Sequence, residues 1–144
     1  KQGMSAVVTT LIIILLVIVA LGIIWVVVKN FVESGREQVE WAEKCRAVEI
    51  QAVKLNETAT EGTYEVTLYR TGAGDVIAGV KLVFANGTAY SDVTEFGIVM
   101  GQLETKTNTG IVAGITNANE LQITPYFEDD LGAEKLCETR IEEF

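Results

Sequence analysis

The sequence predicts an α+β protein: a long N-terminal α-helix, hydrophobic and then amphipathic, followed by an antiparallel β-sandwich head. Three observations carry this. Residues 6–28 contain no charge and no proline. The polar stretch after them keeps a helical spacing of apolar residues to about Lys44. Beyond Cys45 the apolar residues alternate in short runs separated by turn signals. The chain of 144 residues is long enough for one domain plus an appendage, and the division is placed at 1–44 and 45–144.

The helix comes first. At 1.5 Å per residue, residues 6–28 run roughly 35 Å, slightly more than the ~30 Å hydrocarbon core of a bilayer. A secretory signal has a shorter apolar region and a small-residue cleavage site after it, so this segment reads as one that spans. Beyond Val28 the pattern continues through Phe31, Val32, Val39, Trp41 and Ala42, with Glu33, Arg36, Glu37, Glu40 and Glu43 between them. One helix from about Ser5 to about Lys44 is roughly 60 Å long. Gly22 weakens it without breaking it.

The strands follow. Val48–Leu55 alternates with a phase shift at Ala52–Val53, which predicts a bulge. "TYEVTLYR" places Tyr64, Val66 and Leu68 on one face. Thr71–Asp75 is a turn; its Gly72 and Gly74 lack the third glycine and the helix of a nucleotide fingerprint. "VIAGVKLVFANGT" places Val76, Ala78, Val80, Leu82 and Phe84 together and ends in the hairpin signal Asn86-Gly87. "TEFGIVM", "LETKTNT", "GIVAGI" and "ELQITPYF" read as further strands. Seven to nine short strands at this spacing predict an antiparallel sandwich, immunoglobulin-like in strand count. The Cys–Trp–Cys order of antibody domains is absent, because Trp41 precedes both cysteines.

Charge and composition narrow the function. In residues 1–44 Lys1, Lys29, Arg36 and Lys44 balance Glu33, Glu37, Glu40 and Glu43, so residues 45–144 hold the whole net charge of −9. Such a domain repels phosphate backbones, which argues against nucleic acid. The chain has no His, which removes the commonest general base near neutral pH and the commonest metal ligand. No catalytic residue, metal site or cofactor is expected, and the protein does not read as an enzyme.

"KQGMSAVVTTLIIILLVIVALGIIWVVVKNF" resembles the N-terminus of an archaeal type IV pilin. The resemblance covers about a quarter of the chain. It implies a helix-plus-sandwich subunit that polymerises, with the helices bundled in the filament core and the heads outside. Val8, Leu11, Ile14, Leu15, Ile18, Leu21, Trp25 and Val28 are then filament-core residues. The implied partners are other copies of the chain, the cell membrane that holds the precursor, a prepilin peptidase and the pilus assembly machinery. The implied location is an extracellular filament at the cell surface, used for adhesion or surface contact. The mature start is Lys1 or Met4. Ser5 stands where bacterial type IV pilins carry Glu, a departure shared by archaeal ones. The sequence also resembles archaeal flagellar filament subunits, whose N-termini are richer in Gly and Ala. A different class, a single-pass anchored ectodomain that binds a ligand, uses the same helix; no Pro/Gly/Ser-rich linker separates Phe31 from Cys45 to favour it.

Cys45 and Cys137 are too few and too far apart for a zinc knuckle or a CxxC pair. They read as two buried thiols or as one disulfide, and the extracellular features favour the disulfide. Its loop of more than ninety residues is worth ~4–5 kcal/mol in the chain-entropy model. Asn56-Glu57-Thr58 and Asn86-Gly87-Thr88 are glycosylation sequons at which an exposed head tolerates glycans. Glu128, Asp129 and Asp130 lack the spacing of a calcium loop and read as a solvated turn. Tyr64, Tyr69 and Tyr126 suit core or rim packing better than an adhesive face.

Overall fold

In a computed structural model, residues 2–144 form one helix and eight strands. Lys1, one of the two expected mature starts, lies outside the described residues. Helix α1 (Gln2–Ala47) is uninterrupted through Gly22 and Gly35, in line with the modest cost of a lone glycine. The chain divides into two compact units, residues 1–40 and 41–144. Within the second unit the last turns of α1 place Trp41 and Cys45 against the head's apolar core.

The strands are β1 (Ile50–Glu57), β2 (Thr63–Arg70), β3 (Gly79–Ala85), β4 (Thr94–Glu95), β5 (Thr105–Val112), β6 (Glu120–Glu128), β7 (Glu134–Leu136) and β8 (Arg140–Glu143). They build two sheets, one ordered β1-β2-β5 and the other β4-β3-β6-β7, with β8 also paired to β6. Every pairing is antiparallel. This is an immunoglobulin-like order with one difference from the constant type. The fourth strand lies beside the third, as an added strand does in the variable type, instead of beside the fifth.

Period-2 patterning explains the core. Tyr64, Val66 and Leu68 of β2, Val80, Leu82 and Phe84 of β3, and Leu121 and Ile123 of β6 are all buried and interdigitate as the inner faces of a sandwich do. The bulge in β1 falls at Val53, the residue skipped between the pairs Ala52↔Leu68 and Lys54↔Thr67. Three expectations fail locally. Val76 and Ala78 do not extend the β3 face: the strand starts at Gly79, Val76 is exposed, and Ile77 enters the core instead. "LETKTNT" and the start of "GIVAGI" are one strand, β5. Its break at Gly110 (φ 128°) is a register shift against β2 at Tyr64/Glu65, so a backbone open to glycine bends the strand without ending it. "TEFGIVM" shrinks to the two residues of β4, and its Phe96 and Met100 plug the core from a loop.

Two further strands, β7 and β8, run along β6. The pairs Tyr126↔Leu136 and Ile123↔Arg140 leave one extra residue on the β7–β8 side. This bulge faces Pro125, whose carbonyl accepts from the Cys137 N–H at 2.9 Å. A proline inside a sheet is tolerated at such interruptions, because it has no N–H to give to a regular ladder.

Arg70 is the exception to the apolar core. It continues the inward phase of β2 and is fully buried. Its Nη1 donates to the Met100 carbonyl at 2.9 Å, and its Nη2 donates to the carbonyls of Ala73 (3.4 Å), Gly74 (3.2 Å) and Asp75. Nε has no partner. Burial pushes the guanidinium pKa down and the nearby Asp75 opposes this. A buried cation persists only where such oxygens surround it. Arg70 therefore ties the loop after β2 to the loop before β5. In the second of these loops Leu103 takes φ 56°, a left-handed conformation that costs a residue with a side chain ~1–2 kcal/mol. Gly72 makes room for it: a Cβ there would lie 2.9 Å from Leu103 Cγ.

Candidate functional site

The candidate site is the apolar surface of α1. Val8, Leu11, Ile14, Leu15, Ile18, Leu21, Trp25 and Val28 are all exposed. So are the residues between them. The large apolar side chains from Met4 to Val32 keep between 49% (Val28) and 80% (Phe31) of their surface open. The eight expected core residues are thus part of a surface that is oily around its whole circumference and includes Ile12, Leu16, Ile23 and Val27. The sequence already reads as apolar all round here, and the eight residues named as filament core are one stripe of that surface. The signal for the wider surface was the absence of any polar residue between Thr10 and Lys29.

The two threonines in this stretch are closed off internally. Thr9 Oγ1 donates to the Ser5 carbonyl at 2.8 Å and Thr10 Oγ1 to the Ala6 carbonyl at 2.7 Å. Each hydroxyl therefore has an acceptor within its own helix and needs no water. The backbone is satisfied by the helix itself, as a hydrocarbon environment requires. The helix is long and apolar enough to cross a membrane, and none of its apolar window is buried. Charge starts at Lys29, which pairs with Glu33 one turn later at 3.9 Å. Each side chain moved from water to an apolar setting gains roughly 1.5–3 kcal/mol. The surface is therefore chemically inert and physically demanding: it needs cover.

In the head, Trp41 meets Phe127 with ring centroids 6.0 Å apart, and Lys44 Nζ lies 4.7 Å from the centre of the Trp41 ring. Cys45 and Cys137 are joined as a disulfide with Cα atoms 5.2 Å apart. The bridge couples the last turn of α1 to the bulge after β7, closing a separation of 92 residues.

The two sequons lie in different settings. Asn56 is exposed on β1 opposite Glu65. Asn86 is half-buried and organises its own turn. Its Oδ1 accepts from the N–H groups of Thr88 (3.1 Å) and Ala89 (2.9 Å) and from the Thr88 hydroxyl (2.8 Å), while its Nδ2 donates to the Thr116 carbonyl at 3.1 Å. Nδ2 is the atom a glycan would join, and the Thr116 bond uses one of its hydrogens.

Tyr64, Tyr126 and Asp129 have structural tasks. Tyr64 stacks on Phe84 at 5.0 Å, donates its hydroxyl to the Ile115 carbonyl and accepts from the Ala118 N–H. Burial raises its pKa. Tyr126 lies under Lys81 Nζ at 5.0 Å and donates to Glu95 at 3.1 Å. Asp129 Oδ1 caps the β6–β7 turn by accepting from the N–H groups of Ala133 (2.8 Å) and Leu131 (3.0 Å), and these bonds hold its carboxyl below the usual range. No cluster of three metal-ligating side chains occurs among the described residues. Comparison of the chain with protein-family models, with curated proteins and with solved structures gives no match.

Proposed function

We propose that the chain is the structural subunit of an extracellular filament of the archaeal type IV pilus kind. Its apolar helices pack together in the filament core and its acidic heads form the outer surface. One observation carries the reading: residues 6–28 of α1 are apolar on every side and uncovered, while the head buries a complete core of its own. A helix that is hydrophobic all round belongs in lipid or among other helices. In this reading the precursor holds α1 in the cell membrane, a prepilin peptidase trims it, and the assembly machinery exchanges lipid for neighbouring copies. The chain has no catalytic task. A dense array of heads that carry the net charge of −9 repels other negative surfaces, with screening within ~8 Å at physiological salt. Contact at short range, as in adhesion, fits such a fibre.

The uncovered helix also suits a single-pass anchor for a ligand-binding ectodomain, and one experiment separates the two. Sheared cell-surface material is viewed by negative-stain microscopy, and its subunit is identified by intact mass. Fibres built of this chain are the expected result, and the mass reports the mature start and any glycan on Asn56 or Asn86. Recovery only from the membrane fraction, with no fibres, overturns the filament reading. Loss of swimming with intact attachment in a deletion strain assigns the filament to motility.

A further inference from the structure

One end of the head presents apolar side chains that the sandwich does not use. In the segments 76–77 and 98–100 the inward positions are filled by Ile77, Ile98 and Met100, which pack in or against the core. The outward positions, Val76 and Val99, are apolar as well and largely open. Leu103 is the third: 70% exposed, with its backbone in the left-handed region. A polar residue or a glycine in each place would serve an isolated soluble head better.

The loops that carry these three residues are tied by the buried Arg70. Its guanidinium binds the carbonyls of Asp75 and Met100, the neighbours of Val76 and Val99, and Gln102 Nε2 donates to the Gly74 carbonyl at 2.7 Å. Leu103 lies over Gly72. Gly74 in turn lies against Ala47 and Val48, where α1 ends. A fully buried cation with an unpartnered Nε is an expensive way to fix two loops. It fits a surface that must keep one shape.

We propose that Val76, Val99 and Leu103 form the seat for the apolar helix of a second copy of this chain. The proposal rests on the filament reading above. Charge selects the occupant. Residues 1–40 hold Lys1, Lys29 and Arg36 against Glu33, Glu37 and Glu40, so residues 41–144 hold the entire −9. Two heads, each carrying −9, repel one another as bodies, although at this end Glu104 is itself paired with Lys106 at 3.5 Å. The uncharged stretch 6–28 meets no such repulsion, and its side chains lack cover in their own chain. Preformed loops and an uncovered apolar segment on the same polypeptide are complementary in chemistry and in number, one seat per helix.

The test uses the full-length chain assembled into filaments, with a photo-crosslinking phenylalanine analogue at position 103. Light is expected to join two copies, and tryptic mass mapping is expected to place the adduct on residues 2–29 of the other copy. Adducts confined to another head, or no adduct between copies in intact filaments, overturn the seat. Independently, the double variant Val76→Asp, Leu103→Asp is expected to raise the concentration needed for assembly by at least about tenfold, with the thermal midpoint of the head unchanged in the same preparation. Normal assembly of that variant beside wild-type fibres sinks the seat and leaves the filament reading standing. Absence of fibres from the wild-type chain sinks both.

Discussion

Helix α1 and the head use the same apolar residues to opposite ends. Between Met4 and Val32 every large apolar side chain faces outward. In the head, Val66, Leu68, Leu82, Phe84, Leu121 and Ile123 have no exposed surface at all. The patterns explain the contrast. A period of two gives each strand one face to bury and one to leave wet, so two sheets complete each other. A run without period gives the helix no wet face, and no second layer in this chain answers it. The head is a finished fold; the apolar part of the helix is left uncovered.

The sharpest way to break that contrast is to charge the helix. Ile14→Asp or Leu16→Asp puts a carboxylate on a surface that must be dry when covered, where an unpaired charge is either strongly destabilising or forced to take a proton. Under the filament proposal, assembly is expected to be lost while the head melts as before. Fibres of normal yield from either variant, seen by microscopy, would show that α1 is not the assembly core.

A smaller effect is expected inside the head. Reducing the Cys45–Cys137 bridge, or replacing both residues by Ala, frees a loop of 92 residues in the unfolded chain. Denaturant titration should show a loss of ~4–5 kcal/mol, with far-ultraviolet helix signal retained before the transition. An unchanged midpoint would mean that the reduced unfolded head stays as compact as the bridged one.

The smallest effect concerns acid. Glu57 accepts from the Gly62 N–H at 2.8 Å and the Asn117 N–H at 3.0 Å, which together hold its carboxyl below its ordinary 4.5. Because the folded value is the lower one, its contribution is complete above the unfolded pKa. It is lost as pH falls through the folded pKa. Glu57→Gln should therefore flatten the acid limb of the melting curve below about pH 5 and leave the helix untouched. Parallel pH profiles for the two proteins would remove Glu57 from the account.

How much of this was legible follows from what each signal reports. Length and hydropathy are local, so α1 could be read directly, and alternation fixed the inward faces of β2 and of β3 from Val80 on. The bulge at Val53 was visible because a phase slip is itself a local event. Arg70 was not legible as a core residue, since charge marks a position as wet unless the carbonyls that surround it are known. Gly110 looked like the end of a strand, because a glycine that bends a ladder and one that ends it are identical in sequence. The short β7 and β8 carry no alternation of their own and owe their pairing to β6. The pilin resemblance named a stripe of helix residues, and the uncharged run around them already marked the whole circumference as apolar; the structure added that none of it is covered.

The bridge between Cys45 and Cys137 has a topological consequence. It makes the polypeptide from the end of α1 to the bulge after β7 a closed ring. A protease that nicks any loop between residues 46 and 136 opens the ring but releases nothing, since both fragments stay joined through sulfur. Tension arriving along the helix at Cys45 passes at once to the bulge at Cys137, so it cannot peel β1, β2 and β3 away in sequence. Damage and pull are both shared across the fold, and a head cut once on its surface stays on its stalk.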